Sequence, residues 1–167
     1  MSQITEPLHS KHKKSYFSCG KEMLDQYLHK QANQDIKRKL AACFVIKEAP
    51  TNLNKGYYTL SNNSIPLNLV PNEIQKKLPR YYKAIPTTLL GRLAIDQKFQ
   101  GQGIGRLLLV DALKRSYELS KTIGSFAVVV DPLDAAAEKF YTKYGFIILP
   151  DSKKMFLPMK TIGQLFE

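Results

Sequence analysis

Glycine occupies every second position in Gln100-Gly101-Gln102-Gly103-Ile104-Gly105, and no other stretch constrains the fold of this chain as tightly. Residues without a Cβ let the backbone turn sharply and bring its N–H groups close to a ligand. Leu89 to Ile95, just before the loop, reads as a strand, and the residues from about Gly103 to Ser120 read as a helix. A strand, a glycine loop and the positive end of a helix dipole form a cradle for a pyrophosphate. Arg106 adds a cation beside it. Two familiar phosphate loops are excluded. A Walker loop needs Lys and Ser/Thr where Arg106 and Leu107 stand. A dinucleotide fingerprint needs a last glycine where this chain has Arg106, counting from Gly101, or Leu108, counting from Gly103. The pattern that remains, Gln/Arg-x-x-Gly-x-Gly/Ala, is met by Gln100, Gly103 and Gly105.

The rest of the chain supplies a setting for that loop. Residues 21–39 read as a helix, with Leu24, Tyr27, Leu28, Gln31, Ala32 and Ile36 along one face and mostly basic residues elsewhere. Ala42–Ile46 and Tyr57–Ile65 read as strands. The breakers between them, Pro50, Asn52, Asn54 and Gly56, predict a hairpin. Pro66 to Pro86 reads as irregular. Ser125–Val130 is the uninterrupted apolar pattern of a buried strand. Asp134 stands where it can cap a helix running to about Lys143, and Gly145 where it can close it. Phe146–Leu149 starts a further strand, with Met155–Leu157 beside it. This order predicts a mixed α/β fold with a parallel strand–helix–strand unit at its centre. The 167 residues suit a single domain, 1–167.

Composition narrows the setting. The net charge of +11 predicts attraction to a polyanion: nucleic acid, an acidic partner or a phosphorylated cofactor. A merely solubilising basic surface explains it equally well. No apolar run approaches the roughly 20 residues of a membrane helix. The polar start, with Lys11, Lys13 and Lys14, lacks a signal peptide's apolar core. The expected setting is therefore the cytoplasm, with no membrane. Cys19 and Cys43 lie outside any Cys-x-x-Cys pair, and Cys43 reads as a small buried hydrophobe. His9, His12 and His29 all fall in the first segment, far in sequence from the loop. No metal-spaced cluster and no nucleophile elbow is read, so neither a metal nor an acyl-enzyme is expected.

A second signature lies downstream of the loop. Asp131-Pro132-Leu133-Asp134, then Ala135 to Glu138, then Phe140-Tyr141-x-x-Tyr144-Gly145-Phe146 follow at the right distance and in the right order. Together the two signatures resemble the GNAT N-acetyltransferase superfamily. The resemblance implies a mixed central sheet flanked by helices, whose parallel central strands splay apart to admit the pantetheine arm of acetyl-coenzyme A. Those strands are Leu90–Ile95 and Ser125–Val130 here. It implies that Leu93, Ala94 and Ile95 bond the arm and the acetyl carbonyl through their backbone. Gln100, Gly101, Gln102, Gly103, Ile104, Gly105 and Arg106 are implied to hold the pyrophosphate, with Asp134 also assigned to the cofactor site. A backbone N–H would stabilise the developing oxyanion. Tyr141 matches the family's tyrosine and would protonate the leaving thiolate. The alternative is that Tyr141 only packs, as Phe140 and Phe146 do. Tyr144 reads as core.

A narrower resemblance concerns the acceptor. Phe17-x-Cys19-Gly20, Leu24-Asp25-x-Tyr27-Leu28, Gly56-Tyr57-Tyr58-Thr59-Leu60-Ser61, Leu78-Pro79-Arg80-Tyr81 and Leu89 to Asp96 are similar to the GNAT toxins of bacterial type II toxin–antitoxin modules. Tyr82 and Lys83 depart from it, standing where a proline is expected. These toxins acetylate the α-amino group of aminoacyl-tRNA and block translation. The resemblance implies a homodimer and a ribbon–helix–helix antitoxin. Lys30, Lys37, Arg38, Arg80 and Arg92 are the candidate tRNA contacts, with a solvated surface charge as the alternative for each. An α-amino group titrates near about 8, against about 10.4 for lysine, so no strong base is required. Asp96 or a water chain are the candidates if one is used. Two other readings stay open: an acetyltransferase for a small amine or a protein, and a non-catalytic acetyl-CoA- or RNA-binding module.

Overall fold

The computed structural model describes residues 4–167. Among them, seven strands form one mixed sheet: β1 Glu6–Pro7, β2 Ala42–Glu48, β3 Leu53–Pro66, β4 Ala84–Ile95, β5 Ala127–Val130, β6 Ile147–Ile148 and β7 Met155–Pro158. Their order across the sheet is β1-β2-β3-β4-β5-β7-β6. β4 and β5 are parallel, pairing Thr88 with Val128 and Leu89 with Val129. β2 and β3 form the expected antiparallel hairpin, with a register shift between Ile46 and Lys47. The helices are α1 Glu22–Gln26, α2 Ala32–Lys37, α3 Asn72–Gln75, α4 Ile104–Ser120, α5 Ala135–Lys143 and α6 Met159–Phe166. The chain divides into two compact units, one up to Ser61 together with Leu90–Leu113, the other Asn62–Leu89 with Lys114–Glu167.

The first unit has a core of Phe17, Leu28, Ala32, Cys43, Val45, Tyr57 and Ala94, with Leu24 and Ile36 packed against it. The sequence predicts one helix over 21–39. The structure interrupts it with a π turn at Tyr27–Gln31, where the Ala32 N–H bonds the Tyr27 carbonyl five residues back. That extra residue explains one departure. In a straight α-helix Gln31 would share the face of Tyr27. The wider turn puts Ala32 on the core face instead, and Gln31 is exposed, donating to Asp35 Oδ1 at 2.9 Å. Gly56 on β3 is a position of close approach. A Cβ there would lie 2.9 Å from the Ala94 carbonyl oxygen and 2.9 Å from a methyl of Leu108.

The second unit is built around Ile65, Val70, Ile85, Ala127, Val129, Leu149 and Phe156. The stretch that reads as irregular holds a 3-10 turn at Leu67–Leu69 and the short helix α3. Leu67, Ile74 and Leu78 pack against the core from it. α5 begins and ends where the sequence predicts. Asp134 Oδ1 accepts the Ala137 N–H at 2.9 Å, and Gly145 closes the helix at φ 93°. The sequence does not announce α6. Its Gly163 lies against Tyr117, whose ring would meet a Cβ at 2.8 Å.

Candidate active site

The glycine loop is held from behind by side chains that accept or donate backbone hydrogen bonds. Asp96, buried at the end of β4, accepts from the Lys98 N–H at 2.9 Å and from the Ser18 N–H at 3.1 Å. One oxygen shapes the turn at Gln97–Phe99 and the other ties it to the segment at Ser18. Asp96 thus braces the loop, each of its oxygens accepting one backbone N–H. Gln100 does the same work from the other side. Its amide donates to the carbonyl of Cys19 at 3.0 Å and to that of Ile95 at 2.9 Å. The glutamine of the loop pattern is in this way a strut between loop and strand.

Gly101 and Gly103 both adopt φ 78°, and a Cβ on either would meet nothing within 4 Å. They are glycine because of backbone conformation and not because of crowding. Gln102 and Gly103 are exposed, Ile104 is buried as the first residue of α4, and Arg106 is exposed in its first turn. No acidic residue occupies that turn. The positive end of a 17-residue helix is left without an acidic neighbour of its own and carries an arginine, which suits an anion. α4 is anchored through Asp111, which accepts from the hydroxyls of Tyr58, at 2.6 Å, and of Thr5. Of the strand residues assigned to the cofactor, Ala94 is buried in the core while Leu93 and Ile95 are half-buried.

Tyr141 lies in the second unit, on α5. It is 7% exposed, packing against Phe146 with ring centroids 5.2 Å apart and against Phe140 at 5.3 Å. Burial pushes its phenol above the ordinary value, so it holds its proton at neutral pH. The hydroxyl has no hydrogen-bond partner among the described residues. That combination, a protonated and unengaged donor fixed by its ring, suits a general acid. Tyr144 is packed edge-on against Phe140 at 5.1 Å but is only half-buried and lies outside the core, which corrects its reading as a core residue. Asp134 serves α5 as its N-cap, so its carboxylate occupies the helix terminus.

The basic residues fall into two groups. Lys30, Lys37 and Arg38 are exposed on the helical segment of the first unit, and Arg80 is exposed in the second. Arg92 differs from these. It is half-buried, and its guanidinium lies 3.5 Å from the centroid of the Tyr27 ring. The Tyr27 hydroxyl donates to Asp35 Oδ2 at 2.8 Å. Tyr27 thus holds the arginine by its face while its edge is fixed by a carboxylate, a cation–π arrangement. Nothing in the spacing of Tyr27 and Arg92 along the chain announces this pair. The π turn that sets Tyr27 is a feature often found at functional sites.

A further cluster escapes the sequence reading. Glu6, His9 and His12 present potential ligand atoms within 4.8 Å of one another. Hydrogen bonds say which protons they carry. The His9 N–H donates to His12 Nδ1 at 3.0 Å, and the Lys11 N–H donates to His9 Nδ1 at 3.2 Å. In the neutral rings both Nε2 atoms therefore bear the proton. His12 uses its own to reach Glu6 Oε1 at 2.9 Å, and Lys47 meets the same oxygen at 3.0 Å. Ligation of a metal would have to break one of these bonds, since each Nδ1 already accepts a backbone N–H and His12 Nε2 meets Glu6. This is a structural ion-pair network.

The acetyltransferase (GNAT) domain family matches residues 73–148. A tRNA-acetylating toxin of Mycobacterium tuberculosis is 34% identical over 145 residues, covering 86% of this chain and 84% of its own. AtaT complexed with acetyl-methionyl-tRNAfMet superposes with a TM-score of 0.89 at 31% identity, over 99% of this chain and 100% of that one. A tyrosine-to-phenylalanine mutant of the toxin AtaT, bound to acetyl-CoA and to the C-terminus of the antitoxin AtaR, superposes with a TM-score of 0.80 at 28% identity, over 97% and 96%.

Proposed function

The chain belongs to the GNAT acetyltransferase family and groups with its tRNA-acetylating toxins, and from that membership we propose that it acetylates the α-amino group of aminoacyl-tRNA and so blocks translation. The glycine loop at the N-terminus of α4, with its two left-handed glycines and its acid-free first turn, carries the acetyl-CoA half of the reading, and the acceptor rests on the likeness to the tRNA-acetylating toxins. Acetyl-CoA supplies the acyl group, activated as a thioester. The loop Gln100–Gly105 and Arg106 hold the pyrophosphate, while backbone groups of Leu93, Ala94 and Ile95 bond the arm. A backbone N–H in that stretch faces the acetyl oxygen and stabilises the negative charge developing there. The amine attacks in its neutral form. Its nitrogen–carbon bond forms, the carbon–sulfur bond breaks, and Tyr141 protonates the departing sulfur. The proton lost by the nitrogen passes to a water chain, and Tyr141 regains its own proton from water.

Lys30, Lys37, Arg38, Arg80 and Arg92 contact the tRNA. The net charge of +11 supports a polyanionic substrate. The regulatory partner is a ribbon–helix–helix antitoxin, the active form is a homodimer, and the site of action is the cytoplasm. No helix among the described residues is long and apolar enough to cross a membrane.

The test is direct. The protein is incubated with acetyl-CoA and charged tRNA, and the product is read by mass spectrometry. N-acetylated aminoacyl-tRNA is expected. Acetylated polyamine or protein with no acetylated aminoacyl-tRNA sinks the reading. Tyr141→Phe should lower turnover by roughly 100- to 10,000-fold while acetyl-CoA affinity, measured by calorimetry, stays close to wild type. Full turnover in that variant places the acid elsewhere.

A further inference from the structure

The segment where the toxin pattern gives way, after Tyr81, carries an unusual surface of the second unit. Tyr81 is 78% exposed and its neighbour Tyr82 is 47% exposed. Their rings lie 4.9 Å apart, tilted by 32°, so they form one two-ring surface. Lys76, Lys77, Arg80 and Lys83 surround them in sequence, and all four are exposed. None of these cations takes part in an ion pair among the described residues. The base beneath the rings is fixed. Leu78 packs against the core, Ile85 is buried, the Lys83 carbonyl accepts the Leu67 N–H at 2.9 Å, and the Tyr82 N–H closes a turn onto the Pro79 carbonyl at 3.3 Å. Two exposed aromatic faces on an anchored turn, ringed by unpaired cations, have the chemistry of a stacking platform for unpaired nucleotides.

We propose that Tyr81 and Tyr82 stack against unpaired nucleotides at the 3′ end of the charged tRNA, with Arg80 and Lys83 on the flanking phosphates. Paired bases inside a duplex bury their faces against one another and leave only the terminal pair open on one side, so an unpaired segment offers by far the more base faces to these rings. The 3′ end is unpaired and carries the reacting amine, so every productive encounter brings it to the protein. The inference rests on the tRNA reading above and adds the residues that recognise single-stranded RNA.

Full-length protein is titrated with a fluorescent single-stranded RNA ending in CCA and with a blunt duplex of equal length, by anisotropy. Tyr81→Ala/Tyr82→Ala should weaken the single strand by about tenfold or more and leave the duplex nearly unchanged. Tyr81→Phe/Tyr82→Phe should bind like wild type, because stacking needs the ring and not the hydroxyl. The salt dependence should be the same in all variants, because no charge is removed. Tyr16→Ala, at an exposed tyrosine elsewhere, is the control. In acetyl transfer the alanine pair should raise KM for charged tRNA with kcat close to wild type. Equal weakening of both RNAs, Phe variants as weak as Ala, or unchanged binding each overturn the proposal. The two failures separate cleanly. Wild type that acetylates charged tRNA while the alanine pair keeps its KM loses only the platform. Wild type that binds the single strand through the tyrosines but acetylates another amine loses only the tRNA-acetylation reading.

Discussion

At the residue scale, several side chains here have roles set by what already occupies their polar atoms. The Tyr141 hydroxyl has no hydrogen-bond partner among the described residues, whereas both oxygens of Asp96 already accept a backbone N–H. Glu6 shows how such an engagement reaches the stability of the whole. The hydrogen bond from His12, and then that from Lys47, lower its carboxyl from 4.5 to about 2. A folded pKa below the unfolded one favours the native state wherever the carboxyl is ionised in both. That contribution is fully present above about pH 4.5 and is lost as pH falls towards about 2. Thermal unfolding between those pH values should therefore show a falling Tm in wild type and a flatter profile in Glu6→Gln. Equal slopes in the two proteins would remove Glu6 from the account. The carboxylate is about a third exposed, so the effect is a modest one.

At the element scale, the loop before α4 is the decisive piece of backbone, and its two glycines separate conformation from space. Gly103 sits at φ 78° with nothing in front of it. Gly103→Ala meets no atom but forces a Cβ into the left-handed region, at about 1–2 kcal/mol. Tm should fall by a few degrees, roughly 2–4 °C per kcal/mol at this size, and acetyl-CoA affinity should weaken as the loop relaxes. Gly124→Ala is the matched control, equally unobstructed and without a positive φ. Similar losses in both variants would mean that the left-handed backbone is not what the loop requires. The π turn at Tyr27–Gln31 is the other element whose irregularity matters. It takes Gln31 off the core face and leaves Tyr27 beneath Arg92.

At the scale of the whole molecule, charge is the dominant property. The chain carries 25 Lys and Arg against 14 Asp and Glu. Binding of tRNA should weaken linearly in log–log form with salt, by about 0.9 per duplex phosphate neutralised and about 0.7 per single-strand phosphate. Lys37→Glu/Arg38→Glu, at exposed positions of the first unit, should reduce that slope by roughly 1.5–2 if both residues meet phosphates. An unchanged slope assigns both residues to the solvated surface.

Local spacing alone determined a good part of this protein. The glycine loop, the β2–β3 hairpin and the capped α5 were legible because each is specified by residues a few positions apart: alternating glycines, breakers between apolar runs, Asp134 and Gly145 around a helix. The same holds for the family, whose signatures are local. Only the tertiary structure decided what distant residues do to one another. Asp96 is a brace because it meets Ser18, 78 positions away, and Gln100 is a strut because it meets Cys19, 81 positions away. Arg92 is held by Tyr27 and Glu6 by Lys47, across separations that no periodicity marks. A polar side chain's chemistry depends on whether its lone pairs and protons are already used, and in a folded chain the users come from elsewhere in the sequence.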